Sequence, residues 1–177
     1  AGQGTGFDAT SGKTVTRIEA GQRISGGVGA GGGLVLLGTP KGELLAFDRD
    51  GKQLWKAQLS GEMLSPAAAA DGTVVARAGD GRIYGLDVAD GKRKWIYQRS
   101  TPTLSVRAYA GAVVHRGGVF AGFPGGRLVA LTLPNGSVGW EGVVALPRGT
   151  TELERVADIT SLPVIDVPQV CAVAFQG

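Results

Sequence analysis

Short apolar runs, broken at regular intervals by Asp-Gly or Asn-Gly, dominate the chain. One stretch shows the pattern whole: residues 66–70 are apolar and lead into Asp71-Gly72. Residues 73–78 follow and end at Gly79-Asp80-Gly81, residues 82–87 alternate, and Asp90-Gly91 turns the chain into 92–98. Runs this short, bounded by turn pairs, predict β-strands joined by hairpins. Asp-Gly and Asn-Gly favour the type I′ turn, which requires positive φ at both central residues. That geometry is expected at 50–51, 71–72, 80–81, 90–91 and 135–136. No amphipathic stretch long enough for a crossover helix separates the strands, which excludes helical bundles and βαβ folds.

The pattern repeats. Leu44-Leu45-Ala46-Phe47-Asp48, then Gly51-Lys52 and Trp55, returns as Ile83-Tyr84-Gly85-Leu86-Asp87, Gly91-Lys92 and Trp95. A third copy runs Leu128-Val129-Ala130-Leu131-Thr132, Gly136 and Trp140, and a worn copy opens with Phe7-Asp8, Gly12-Lys13 and Thr16 in the Trp position. The interval is 40 residues from Trp55 to Trp95 and 45 from Trp95 to Trp140. Four short antiparallel strands per repeat of about forty residues is the signature of a β-propeller blade. The fold class is therefore all-β, a propeller of the PQQ-like or WD40-like kind with about four blade equivalents. The segments expected are outer strands of a split blade (1–20), three blades (21–60, 61–100, 101–147), and a long loop with the inner strands of another split blade (148–177). Open sheet edges invite pairing, so such a chain closes on itself, joins a second copy, or belongs to a longer propeller.

Composition adds the reason for the turns. Glycine supplies 31 of the 177 residues, more than twice the roughly 7% of an average protein. No G-X-Y period accompanies it, and 43% hydrophobic residues are ample for a core, so collagen and simple disorder are excluded. The net charge of +3 is spread over single residues, which disfavours nucleic acid as a partner. No run reaches the length of a membrane-spanning helix, and residues 1–4 carry neither the charge nor the apolar run of a secretory signal, as a mature or trimmed exported chain also would not. Cys171 is the sole cysteine and is expected to be a small buried hydrophobe in an apolar strand.

Candidate chemistry is mostly decoy. Ser11-Gly12-Lys13-Thr14 imitates the tail of a phosphate loop, but Phe7 stands where its first glycine belongs and Gly-Lys recurs in register at 51–52 and 91–92. Gly27-Val28-Gly29-Ala30-Gly31-Gly32 spells a dinucleotide fingerprint, yet a short strand at 34–37 follows instead of a helix. A glycine-rich inner strand at a crowded propeller centre explains it. His115 is the only histidine, too few for a multi-His metal site, and reads as a satisfied or exposed side chain near the end of an inner strand. Asp48 and Asp87, with Thr132 in the third copy, suit turn hydrogen bonding. No catalytic, cofactor or metal site emerges.

The block from Gly85 to Trp95 resembles the repeat of PQQ-like, quinoprotein-type propellers, in which the Trp packs against the neighbouring blade. That resemblance implies inter-blade docking for Trp55, Trp95 and Trp140. Enzymes of the class bind a quinone and calcium, so a fragment of a PQQ-dependent dehydrogenase is the alternative function. The stretches between blades carry a more specific likeness. Thr103-Leu104-Ser105-Val106-Arg107, the run from Gly149 to Thr160, and Gly61-Glu62-Met63-Leu64-Ser65-Pro66 are similar to the BamB family.

The likeness to that family implies a non-enzymatic, eight-bladed scaffold without cofactor, at the periplasmic face of the bacterial outer membrane. Its implied partners are the POTRA domains of BamA, other components of the β-barrel assembly machinery, and unfolded outer-membrane proteins. Leu104, Val106, Arg107 and Asp158 match the positions that contact BamA, whereas Thr160 stands where a second acidic residue is usual. The family's lipid-bearing cysteine has no counterpart, and its chains are roughly twice as long. A homodimer, each copy completing the other's split blade, would restore an eight-bladed ring.

Loop lengths agree with a contact there. The connection from Trp55 to Pro66 is short, that from Trp95 to Ala110 longer, and that from Trp140 to Pro163 longest. Long loops on a rigid scaffold are common binding sites. Leu104 and Val106 sit between Arg99 and Arg107, an apolar anchor beside orienting charge. Thr151-Glu152-Leu153-Glu154 has the form of a capping box opening one helical turn.

Overall fold

The computed structural model describes residues 2–100, 110–146, 148, 150–151 and 156–175. Sixteen strands and no helix occur among them. β1 (Gln3–Phe7) and β2 (Thr14–Glu19) form a two-stranded antiparallel sheet. Three four-stranded blades follow. The first holds β3 (Val28–Gly31), β4 (Leu34–Gly38), β5 (Glu43–Phe47) and β6 (Gln53–Gln58). The second holds β7 (Ala68–Ala70), β8 (Thr73–Arg77), β9 (Ile83–Asp87) and β10 (Arg93–Tyr97). The third holds β11 (Val113–His115), β12 (Gly118–Phe123), β13 (Arg127–Thr132) and β14 (Val138–Val143). A two-stranded sheet of β15 (Val164–Asp166) and β16 (Gln169–Cys171) closes the series.

The blades stack face to face around their inner strands, with β7 touching both β3 and β11. Middle strands are therefore buried on both faces, which is why β4 and β5 read as nearly unbroken apolar runs. Leu36 and Ala46 face the second blade and pack with Val74, Tyr84 and Leu86. Leu37, Leu45 and Phe47 face the other way, onto Ile18 and Ala20 of the β1–β2 sheet. The same division recurs between second and third blades, where Val75 and Ile83 meet Val119, Ala121 and Phe123. Outer strands bury fewer residues: in β6 and β10 only Trp55 and Trp95 are fully enclosed.

Each outer strand reaches across to the next blade through one side chain. Trp55 Nε1 donates to Val88 O at 3.0 Å and Trp95 Nε1 to Leu133 O at 2.8 Å. Thr16 Oγ1 makes the equivalent bond to Arg49 O at 2.7 Å. The rings lie on glycines: an added Cβ at Gly91 or at Gly136 would sit 2.5 Å from Trp55 or Trp95, respectively. Trp140 departs from this pattern. It is 44% exposed, against 8% for Trp55 and 7% for Trp95, and its ring tilts against Phe120 of its own blade, 6.0 Å between centroids.

Three details correct the sequence expectations. Type I′ geometry is realised at Asp71-Gly72, with φ of 46° and 72°, whereas at the other four pairs the glycine alone has positive φ. Those loops are longer, and in two of them an Asp at the start holds the turn: Asp48 Oδ1 takes the Asp50 and Lys52 N–H groups at 3.0 and 2.9 Å, and Asp87 Oδ1 takes the Ala89 N–H at 2.8 Å, with Gly91 N donating back to Asp87 O at 2.9 Å. Cys171 is exposed, while its neighbours Val170 and Ala172 are the ones packed against Leu128 and Ile159. His115 is half-buried, and its Nε2 is buried without a hydrogen-bond partner.

Candidate inter-blade loop site

Of the predicted contact residues, Leu104, Val106 and Arg107 lie outside the described residues, as do Glu152, Leu153 and Glu154 of the capping box. The roots of both long connections are described, and they meet on one hairpin. This hairpin, residues 123–126, joins β12 to β13.

Ala110, the first described residue after the 101–109 connection, is held by Arg77 from the second blade. Arg77 Nη1 donates to Ala110 O at 3.2 Å and to Gly122 O at 2.7 Å, and its guanidinium lies 4.7 Å from the Phe123 ring centre. Burial lowers its pKa to about 10, so it remains charged at neutral pH. A cation shared between two carbonyls and an aromatic face is well enough hydrogen-bonded to tolerate that burial. The sequence reading missed Arg77. Its signal was present as a lone cation ending the apolar run of β8.

At the other connection, residues 156–159 turn inward. Ile159 N donates to Phe123 O at 3.3 Å. Ile159 packs with Leu128 and Ala174, and it fits because position 122 is glycine: a Cβ there would be 2.1 Å from Ile159 Cγ2. Asp158 is 2% exposed. Its Oδ1 accepts the Gly125 N–H at 3.0 Å and its carbonyl accepts Phe175 N–H at 2.8 Å. The carboxylate thus ties the loop to the 123–126 hairpin and, through the backbone, to the segment after β16. Asp158→Ala removes that acceptor and leaves the loop root slack. A loss of about 1–3 kcal/mol in urea unfolding is the expected result, and unchanged stability would contradict this anchoring role.

Arg99, expected to flank the loop with free charge, is engaged instead. It forms a two-pronged ion pair with Glu141 of β14, at 2.5 and 3.1 Å, and Arg127 stands 3.4 Å from the same carboxylate. The Arg99 hydrogen bond holds the Glu141 carboxyl below the usual carboxylate range. This pair straps the second blade to the third just before residue 101. Among the described residues no group of three or more His, Cys, Asp or Glu could hold a metal ion. No helix among them is long and apolar enough to cross a membrane.

The arrangement has relatives. A family model described as "Outer membrane protein assembly factor BamB" matches residues 4–177. The chain is 54% identical over 171 residues to the protein of that name from Nitrosomonas eutropha, covering 97% of this chain and 42% of the relative. The crystal structure of BamB from Moraxella catarrhalis superposes with a TM-score of 0.90 at 29% identity, covering 99% of this chain and 54% of that one. The chain thus spans about half the length of the proteins it matches, or less. Quinohemoprotein alcohol dehydrogenase from Comamonas testosteroni matches with a TM-score of 0.64 at 17% identity over 82% of this chain and 28% of its own, a likeness of fold alone.

Proposed function

The chain belongs to the BamB family of outer membrane protein assembly factors, and from that premise we propose that it is a non-enzymatic scaffold whose inter-blade loops bind the POTRA domains of BamA. The place of action is the periplasmic face of the outer membrane, and the role is to hold the assembly machinery together while β-barrel proteins fold and insert. One observation carries the reading: the described roots of the two longest inter-blade connections are tied to neighbouring points of one hairpin, Ala110 through Arg77 to Gly122 of β12 and Asp158 to Gly125 in the turn after it. The described roots of both loops therefore lie together, beside β12 and the turn that follows it. A rigid base under two long loops is how propellers and similar scaffolds present binding residues.

In this reading Leu104 and Val106 supply apolar contact and Arg107 supplies orienting charge, while Asp158 fixes the second loop from beneath. Contacts at such a centre dominate interface energy. The double replacement Leu104→Ala with Arg107→Glu is expected to weaken binding of purified BamA POTRA domains by tenfold or more, read by titration calorimetry. Circular dichroism of the variant should match the parent. Unchanged affinity in the folded variant defeats the assignment.

A further inference from the structure

One position of the repeat sets the second blade apart from its neighbours. Gly38, Arg77 and Gly122 stand opposite Leu44, Ile83 and Leu128, the matching residues of the next strand in each blade. The two glycines make room for a side chain from the connection that follows. A Cβ at Gly38 would lie 2.6 Å from Met63 Cβ, and one at Gly122 would lie 2.1 Å from Ile159 Cγ2. In the second blade a buried arginine takes the glycine's place. Two blades close with no side chain here, so packing alone does not call for one. Burying a charge is costly unless it is paired or well hydrogen-bonded. That cost points to a task belonging to this junction.

The surroundings of Arg77 are fitted to it. Arg77, Ile83 and Tyr97 are directly opposed across β8, β9 and β10, so the three share one face of the blade. Ile83 and Tyr97 pack in the cluster that also holds Phe123. The buried Phe123 ring has the guanidinium 4.7 Å from its centre and the Tyr97 ring at 5.7 Å, edge on. In the other two blades Thr39 and Ala78 follow Gly38 and Arg77 where Phe123 follows Gly122. Among the three blades an aromatic face thus occurs at this place only where it meets the arginine.

Three stretches of backbone meet on this cation. Arg77 is the last residue of β8, and its Nη1 donates to Gly122 O in β12 and to Ala110 O, where the 101–109 connection returns. The start of the same connection is held separately, since Arg99, two residues beyond Tyr97, is paired with Glu141 of the third blade. Both ends are thus fastened to that blade, one at the surface and one by a buried charge. We propose that Arg77 is a positioning residue for partner binding: it fixes where the 101–109 connection returns, and through that point the affinity of the contact residues on it. The proposal rests on the reading that Leu104 and Arg107 contact BamA. Arg77 acts through them, its own guanidinium being enclosed by two carbonyls and a ring.

The test uses the 177-residue chain and purified BamA POTRA domains. Arg77→Met nearly keeps the length of the side chain and removes both donors, and should weaken binding by about tenfold or more. Arg77→Lys, which retains a cation and donors for both carbonyls, should recover most of that loss. Added to Leu104→Ala with Arg107→Glu, Arg77→Met should weaken binding no further, because it acts through those residues. A readout without partner accompanies the titrations. Hydrogen exchange of residues 110–115 should quicken by about tenfold or more in Arg77→Met, with β9 unchanged. Phe123→Leu takes the ring from the guanidinium and leaves its donors, so a loss of about threefold in affinity is expected. That variant carries the test if Arg77→Met does not fold, and parental affinity in it then counts against the proposal. Parental affinity in folded Arg77→Met overturns it, as does an equal further loss when Leu104 and Arg107 are already replaced. Exchange that quickens in β9 as much as in 110–115 also overturns it, since the whole blade would then be loosened. If replacing Leu104 and Arg107 alone leaves binding unchanged, the loop reading falls, and exchange at 110–115 still decides whether Arg77 holds the root.

Discussion

Replacing Gly29 with valine destabilises the chain by more than about 4 kcal/mol and removes its cooperative urea transition. The inner strands β3 and β7 approach so closely that a Cβ at Gly29 would lie 1.9 Å from Ala67 O and 2.8 Å from Ala67 C. These are backbone atoms of the next blade, so no side chain can swing aside to make room. Overpacking a core costs about 1–3 kcal/mol when side chains can adjust, and here a strand would have to move. A domain has only about 5–15 kcal/mol in total. Gly33→Ala is the control: its φ is 80°, so strain remains, but nothing lies within 4 Å of the added atom. A Gly29→Val protein that melts within about 1 kcal/mol of the parent would show that the inner strands can part freely.

The second large effect separates residues that look identical in the sequence. Trp95→Ala should cost about 3–5 kcal/mol, the usual range for deleting a buried aromatic side chain. It also strips Leu133 O of its indole donor and leaves a hollow over Gly136. Trp140→Ala should cost about 1 kcal/mol or less, because its ring is 44% exposed and its aromatic neighbour among the described residues is Phe120 of its own blade. Parallel urea titrations compare the two. Equal losses would mean that Trp140 is enclosed in solution.

That contrast also marks how far the sequence could be read. The repeat of Asp, Gly-Lys and Trp announced the blades because one structural unit, reused, imposes one spacing. Burial of Trp140 could not be read from that spacing, since it depends on a neighbour that the register only implies. Asp158 is the sharper case. The resemblance names it as a contact position, and in the fold its carboxylate is enclosed as the acceptor for Gly125. Nothing in a sequence distinguishes a carboxylate facing water from one facing an N–H. Arg77 was passed over for the opposite reason, because a single cation in a strand looks like an ordinary solvated residue until its carbonyl partners, 33 and 45 positions along, are in place. The Asp-Gly pairs located the turns correctly, yet only Asp71-Gly72 has the tight form. The Asp side chain can brace a wider loop equally well, and composition does not choose between them.

The stacking of blades through both faces of their middle strands has a consequence for how the molecule breathes. Contacts run from each sheet to its immediate neighbours, so stability is distributed as in a one-dimensional array. The central blade, clamped by two clusters, opens only with the whole. Among the described residues the two-stranded sheets each lean on a single cluster. Amide protection should therefore rise from either terminus towards β8 and β9. The hairpin beneath the long loops sits between the cluster that joins the second and third blades and the small cluster of Leu128, Ile159 and Ala174. Its base on the blade side is the more firmly held of the two.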